Sequence, residues 1–408
     1  MNRALLLVCA LALLIAWNGY QDHQALYNFF PARPIFGRDL YGSYLVEAAM
    51  LKDGAYSSIW VAEANSRWQL SHGWPNIFND SPYPPLMALL WVPATYTSLY
   101  HAVMGWFYAN MVLMFLLGCT LAWFATPSLA PRRRLVFSLL ASPALFFSAA
   151  AMDCFLSGQL TSLLLATLTG FSICYCLQLG WLAAFFLALS ISLKVYPVIF
   201  LLVPIVLRDW VCLRRIGLCL VLLTLPLFVY CGLSAFGLYL QYLTQVLPGL
   251  VSTPASSVSD QSLKGVLIRL LGPAGGPIAM TVGLAIIAIS IWRIRQWPAS
   301  ALATRAYALA LVSLIQLTCI GRSWPNYHVA LALTLAMSAR AQLPASVTLA
   351  SLLLYTLQAL ADGEVTTTTN GIYFRNWIME SGTTLAINLG WWSLLTGLVR
   401  PPQGVPRK

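Results

Sequence analysis

The chain has 408 residues, of which 59% are hydrophobic and 9% charged, against about 25% charged in a soluble domain. That balance excludes a soluble enzyme and points to an all-α polytopic membrane protein, because the apolar runs are far longer than barrel strands. The net charge of +11 would suggest nucleic acid in a soluble chain; here, basic residues held on the inner side of a membrane explain it better.

The first apolar run, 4–17, follows Arg3 and leads into Trp17 and Tyr20. With no clean A-x-A-like cleavage site and an aromatic belt, it reads as an uncleaved first span rather than a signal peptide. Further runs fall at 84–100, 103–125, 135–151, 160–177, 181–193, 195–207, 216–233, 277–292, 301–320, 324–338, 343–360 and 384–399, thirteen in all. The basic groups are Arg3, Arg132-Arg133-Arg134, Arg208 with Arg214-Arg215, Arg293 with Arg295 and Arg305, Arg340, and Arg400 with Arg407 and Lys408. They share one side only if a single crossing lies between the first run and Arg132. Run 84–100 is short and carries Pro84, Pro85 and Pro93, so it is expected to be re-entrant or interfacial. The expectation is therefore about twelve transmembrane helices in one domain over 1–408, with both termini inside and a large first outer loop at 18–83. The inner side then holds fourteen of the 23 lysines and arginines and one acid, Asp209, with the other acids outside. That one-sidedness suggests a working surface facing out.

The nine cysteines form no CxxC or zinc-type spacing and read as small packing residues. No P-loop and no GxGxxG after a strand is present. DxD, ExD and HExxH are also absent, so neither a metal nor another cofactor is expected.

Six polar constellations interrupt this apolar background, and each has two readings. Asp39 can cap a helix lying in the interface plane, with Leu40, Tyr44, Leu45, Ala48 and Leu51 on its apolar face; the same carboxylate, fixed near a lipid headgroup, can do chemistry. Tyr83, before Pro84-Pro85, sits at a rigid extended corner or lines a substrate cavity. Asp153 and Gln159 form a polar turn, or Gln159 offers its amide to a partner helix or ligand. Lys194, between two short apolar runs and before Tyr196-Pro197, snorkels to the interface or serves a site. Gln261, Lys264 and Arg269 follow Asp260 on the outer side, where an anionic ligand or lipid headgroups would hold the cations. Arg322, Asn326, Tyr327 and His328 stand at a break set by Gly321 and Pro325, either as structural polar residues or as site groups.

Six stretches come in a recognisable order: "GRDLYGSYLVEAAMLKDGAYSSIW", "SPYPPLMALLWVP", "SGQLTSLLL", "LKVYPVIFLLVPIVLRDW", "DQSLKGVLIR" and "SWPNYHVALAL". Together, over 37–333, the chain resembles glycosyltransferase family 87, the polyprenyl-phosphate-sugar-dependent, mannosyltransferase-like enzymes of the C-type membrane fold. The resemblance implies a helical bundle whose first outer loop carries interfacial helices, and an active site open to the periplasmic or extracytoplasmic face of the inner membrane. It also implies a general base at Asp39, with Lys194, His328 and Gly158-Gln159 at matching positions. Partners would be a polyprenyl-phosphate sugar donor and a glycolipid or glycan acceptor, and no nucleic acid. In an inverting transfer the base takes the proton of the attacking hydroxyl. The departing lipid phosphate needs fixed cations, which Lys194, Arg322, Arg269 and His328 can supply, with Tyr83, Gln159, Asp153, Gln261, Lys264 and Asn326 around the substrate.

Two other classes fit the composition. A transporter or flippase of a lipid-linked sugar would place ionisable groups near mid-bilayer, with inverted repeats and paired broken helices; no repeat is present, and the polar residues cluster at one edge. A periplasmic glycan polymerase or ligase shares the outer cations, and the motif order separates it.

Overall fold

The computed structural model describes residues 10, 13, 37, 39–56, 59–74, 83–252, 260–298, 301–319, 323, 325–361 and 373–399. Most of the expected first span, the Arg38 neighbour of Asp39, Arg322 and the basic tail at 400–408 lie outside the described residues.

Every described element is helical. A π-helical turn, Leu40–Leu45, runs into α1 (Val46–Lys52), followed by α2 (Ala62–Ser71) and α3 (Pro85–Trp91), which ends in a 3-10 turn, Val92–Tyr96. Then come α4 (Leu99–Ala125), α5 (Pro131–Phe146), α6 (Ala149–Ser157), α7 (Thr161–Cys176) and α8 (Gly180–Leu193). A 3-10 turn, Tyr196–Leu201, opens α9 (Leu202–Val206); α10 (Trp210–Cys231), α11 (Ser234–Gln241) and α12 (Leu247–Ser252) follow. The last third comprises α13 (Leu263–Leu271), α14 (Gly275–Arg295), α15 (Leu302–Cys319), a 3-10 turn at Pro325–Val329, α16 (Ala330–Arg340), α17 (Ala345–Ala361) and α18 (Tyr373–Gly397).

Side chains cap several of these helices. Ser98 accepts from the His101 N–H at the start of α4, Ser148 from Ala151 at α6, Asp209 from Cys212 at α10 and Ser262 from Gly265 at α13. Each satisfies one of the donors that a helix start leaves open.

Among the described residues, four helices are long and apolar enough to cross a membrane: Leu99–Ala125, Trp210–Cys231, Leu263–Arg295 taken as one run, and Leu302–Cys319. Others of the expected runs form shorter apolar helices, Pro85–Tyr96, Thr161–Cys176, Gly180–Leu193, Tyr196–Val206 and Ala345–Ala359, and two runs are broken. Run 135–151 is divided between α5 and α6, and run 195–207 is a 3-10 turn with a five-residue helix, entered through Pro197, which has no N–H to donate. The 84–100 run forms α3 and its 3-10 turn, about 20 Å of helix, shorter than the ~30 Å hydrocarbon core.

The core lies along α7 and α15. Every residue from Ala306 to Thr318 is buried. By contrast, α10 turns Leu218, Val221, Leu222, Leu225 and Val229 outward, apolar surface that needs lipid for cover. α4 packs along α5, α8 lies between α7 and α10, and α15 between α14 and α16.

The segment after Asp39 does not leave one face uncovered. From Leu40 to Leu51 every residue is buried, the polar Ser43 and Glu47 included. It packs on α3 and α4, so the period of its apolar residues marks the inside of the protein rather than a lipid surface.

Candidate active site

Two glycines set the position of Asp39. Gly37 and Gly158 both have left-handed backbone, each with φ of +70°. A Cβ on Gly158 would stand 3.0 Å from the Leu40 Cβ and 3.1 Å from the Gly37 Cα, and one on Gly37 would stand 2.7 Å from Val103. Gly158 also ends α6 in the left-handed conformation that glycine adopts at no steric cost. The two backbones can therefore touch, which brings Asp39, two residues after Gly37, and Gln159, next after Gly158, face to face.

Gln159 is held from both sides. Its carbonyl accepts from Asn110 Nδ2 at 3.2 Å, and the Gly158 carbonyl accepts from Trp106 Nε1 at 3.1 Å, both from α4. Ser162 Oγ donates to Asn110 Oδ1. Thus fixed, the Gln159 amide nitrogen donates to Asp39 Oδ2, and its Oε1 accepts from the Tyr44 hydroxyl at 3.0 Å. Tyr44 lies 2.8 Å from the Tyr83 hydroxyl, with their rings edge to face at 4.5 Å. Asp39 itself has helical backbone and makes no capping bond: the amide across the cleft takes its carboxylate, where the sequence also allowed a cap.

Lys194 ends α8 with extended backbone, before the Tyr196-Pro197 turn. Its ammonium lies 5.1 Å from the Tyr83 ring centroid, 5.6 Å from Tyr196 and 4.4 Å from Tyr327. Such rings attract a cation through their faces. The lysine is also within electrostatic reach of the Asp39 carboxylate. A buried carboxylate and a half-buried ammonium thus share one aromatic-walled site.

A second strand of the site comes from the loop before α13. Asp260 is buried, and its Oδ1 accepts from the backbone N–H of Ser262 at 3.0 Å and of Ser323 at 2.9 Å. Gln261 N–H donates to the Ser323 carbonyl at 2.7 Å, and Arg269 Nη2 donates to the Asp260 carbonyl. Gly265 makes room for this fold-back, since its Cβ would stand 2.6 Å from the Asp260 carboxyl carbon. Tyr327 joins the halves: it stacks near Tyr196 at 5.0 Å and lies within electrostatic reach of both Asp39 and Asp260. On the same 3-10 turn, His328 is buried with Nε2 3.3 Å from Asn388 Nδ2 of α18. That turn packs against α6 and α7.

Of the residues singled out in the sequence, Asp39, Tyr83, Gln159 and Lys194 gather directly, and Gln261, Arg269 and His328 approach through Asp260 and the 325–329 turn. Asp153 is half-buried on α6 and Lys264 half-buried on α13. Asn326 lies in the 3-10 turn, and Arg322 is outside the described residues. Sequence reasoning did not single out Asn110, Trp106 or Asp260 for the site, and placed Tyr44 on an apolar face. Asn110 carried a legible signal, as a lone amide within the apolar stretch "GWFYANMVLMFLL".

Behind the pocket, Glu47 of α1 is buried and faces the backbone N–H of Tyr83, with Oε2 unpartnered among the described residues.

A model of glycosyltransferase family 87 matches residues 82–320. That stretch carries Tyr83, Gln159, Lys194, Asp260 and Arg269, while Asp39 and His328 lie to either side of it. No curated protein and no solved structure matches the chain. With more than half of its length matched, and its apolar helices, the chain belongs to glycosyltransferase family 87 and is a membrane glycosyltransferase.

Proposed function

We propose that the protein transfers a sugar, with mannose the first choice, from a polyprenyl-phosphate donor to a glycolipid or glycan acceptor, with inversion and with Asp39 as general base. The observation that carries this reading is the shared pocket: a carboxylate oriented by the Gln159 amide, within reach of the Lys194 ammonium amid tyrosine rings. Asp39 takes the proton of the acceptor hydroxyl as its oxygen bonds to the anomeric carbon. The bond from that carbon to the phosphate oxygen breaks, and the electron pair leaves with the lipid phosphate. Lys194 meets the charge that develops there, with Arg269 and His328 behind it, so this reading needs no metal. In a dry pocket such fixed charges act at close to full strength.

The donor's prenyl chain would lie along the apolar outer surface of the helices. In this reading the pocket opens to the extracytoplasmic side of the inner membrane and the arginine-rich helix ends face the cytoplasm, in a bundle of about twelve spans with both termini inside.

The test is transfer from radiolabelled polyprenyl-phosphate sugars, as a panel, in membranes holding the wild type or Asp39→Asn. Loss of a general base lowers the rate by about 10²–10⁴-fold, with the variant still folded in the membrane. Near-normal transfer by Asp39→Asn reduces the carboxylate to a structural role. Transfer that survives chelation supports the metal-free reading, and loss restored by a divalent ion overturns it.

A further inference from the structure

α7, α15 and α16 run from the Asp39 pocket to a second polar cluster. α7 begins beside Gln159 and ends at Cys176; α16 follows His328 and ends at Arg340; α15 has Arg305 in its first turn and leads on towards Ser323. At 1.5 Å per residue, α7 alone puts about 24 Å between the two ends.

Arg305 and Arg340 converge on this far end, both within electrostatic reach of Cys176. Arg340 is also within reach of Arg134, at the start of α5. Each guanidinium rests near an aromatic ring: Arg305 at 5.6 Å from Tyr175, Arg340 at 5.3 Å from Phe124, and Arg134 at 4.2 Å from Trp123. Those rings orient the planar groups without neutralising them. Arg134 Nε donates to the Trp123 carbonyl at 2.7 Å. In contrast, Arg305 Nη1 and Arg340 Nε are buried with no hydrogen-bond partner among the described residues. The acid that reaches the group, Asp209, accepts from the Cys212 N–H as the cap of α10 and faces Tyr175.

A preference for basic residues on one side of a membrane places arginines in water or among headgroups. It does not explain a buried guanidinium nitrogen on each of Arg305 and Arg340 with no acceptor among the described residues, an arrangement that is costly unless an anion completes it. The planar forks match phosphate oxygens, and basic pockets between helix ends on the cytoplasmic side take lipid headgroups.

We infer that Arg305 and Arg340, with Arg134 at the rim, form a binding site for a phosphate group at the end of the bundle opposite Asp39. The site is independent of the transfer reaction. Its phosphate comes either from an anionic phospholipid headgroup or from free phosphate.

Full-length protein in nanodiscs of equal phosphatidylglycerol and phosphatidylcholine, released into native mass spectrometry, reads the lipid retained. Wild type is expected to retain phosphatidylglycerol in preference to phosphatidylcholine, with about a tenfold loss of preference per arginine removed in Arg305→Gln and Arg340→Gln. Arg132→Gln, on an exposed residue of α5, should retain it. A parallel arm titrates inorganic phosphate into detergent-solubilised protein and follows the thermal midpoint. A midpoint rise with phosphate that Arg340→Gln abolishes, without lipid retention, assigns the same site to the free anion. If one of the two variants does not fold, the other decides. Equal lipid retention and equal phosphate response in wild type and both single variants overturns the site.

Discussion

At the Asp39 end of α7 and α16, buried carboxylates and half-buried cations come together. Asp39 and Lys194 lie among Tyr44, Tyr83, Tyr196 and Tyr327, and Tyr327 connects them to Asp260, whose carbonyl accepts from Arg269. At the other end of the same helices, Arg134, Arg305 and Arg340 stand against aromatic rings, and the acid that reaches them is engaged in capping α10. One bundle thus handles charge in two ways. Opposite charges held away from water are expensive to assemble, and in the proposed function the return is a base and a cation already placed where a bond breaks. A cluster of one sign stores no such chemistry; it makes a place for an anion. The comparison predicts that substitutions at the first end act on rate, and substitutions at the second on stability or lipid retention.

The largest effect that can break this division is at Lys194. Lys194→Met keeps most of the length of the side chain and removes the charge that, in the proposed function, meets the leaving phosphate. Transfer should fall by about 10²–10³-fold, the range for losing one preorganised electrostatic partner, while the protein still enters the membrane and resists denaturant as the wild type does. Steady-state rates on purified protein in vesicles, with circular dichroism as the folding check, decide it. A folded variant with full activity would leave the lysine as packing for the tyrosine rings.

The next effect tests how the pocket is held. Gly158→Ala must place a Cβ within 3.1 Å of the Gly37 backbone at a φ of +70°. The left-handed conformation alone costs a residue with a side chain about 1–2 kcal/mol. Denaturation in mixed micelles should show a loss of about 2 kcal/mol, accompanied by slower transfer as Asp39 is pushed from Gln159. A loss of stability with the rate untouched would separate the glycine contact from the placement of the base.

Much of this pocket was legible as residue types at edges of apolar runs. Asp39, Gln159, Lys194 and His328 each interrupt hydrophobic sequence, where an amide or charge needs a partner. The partners were not legible, because the contacts span long separations: Gln159 meets residues of the first loop and of α4, and Asp260 meets Ser323. The period of apolar residues after Asp39 marked a buried face, but a period cannot say whether lipid or protein covers it. Helix bounds were less legible than helix presence, since hydropathy does not register the breaks that divide run 135–151 between α5 and α6 and turn run 195–207 into a 3-10 turn and a short helix.

Glu47 sharpens the comparison through pH. Burial pushes its carboxyl well above the ordinary carboxylate range, against the opposing pull of the Tyr83 N–H. The folded chain therefore keeps this proton at pH values where the unfolded chain has released it. Its contribution is fully present below the unfolded value of about 4.3 and is lost as pH rises towards the folded one, by up to about 1.4 kcal/mol per pH unit. Glu47→Gln removes that slope. Denaturation of the two proteins should coincide near pH 4 and diverge towards pH 7, with the variant the more stable. Parallel curves would mean that the carboxyl gains a compensating partner.

The smallest effect belongs to the arginine-rich end. Arg293, near the end of α14, donates from Nη2 to the Val399 carbonyl at 2.9 Å and from Nη1 to Gln296 Oε1 at 3.1 Å. It ties α14 to the segment after α18 and touches none of the residues around Asp39. Arg293→Lys keeps the charge but cannot make both bonds, because an ammonium is a point donor where the guanidinium is a fork. A half-buried bond of this kind contributes about 1 kcal/mol, so denaturation should shift by that amount and the transfer rate by less than twofold. A tenfold loss of rate at unchanged stability would contradict the division between the two ends, since it would make a structural tie at one end govern bond breaking at the other.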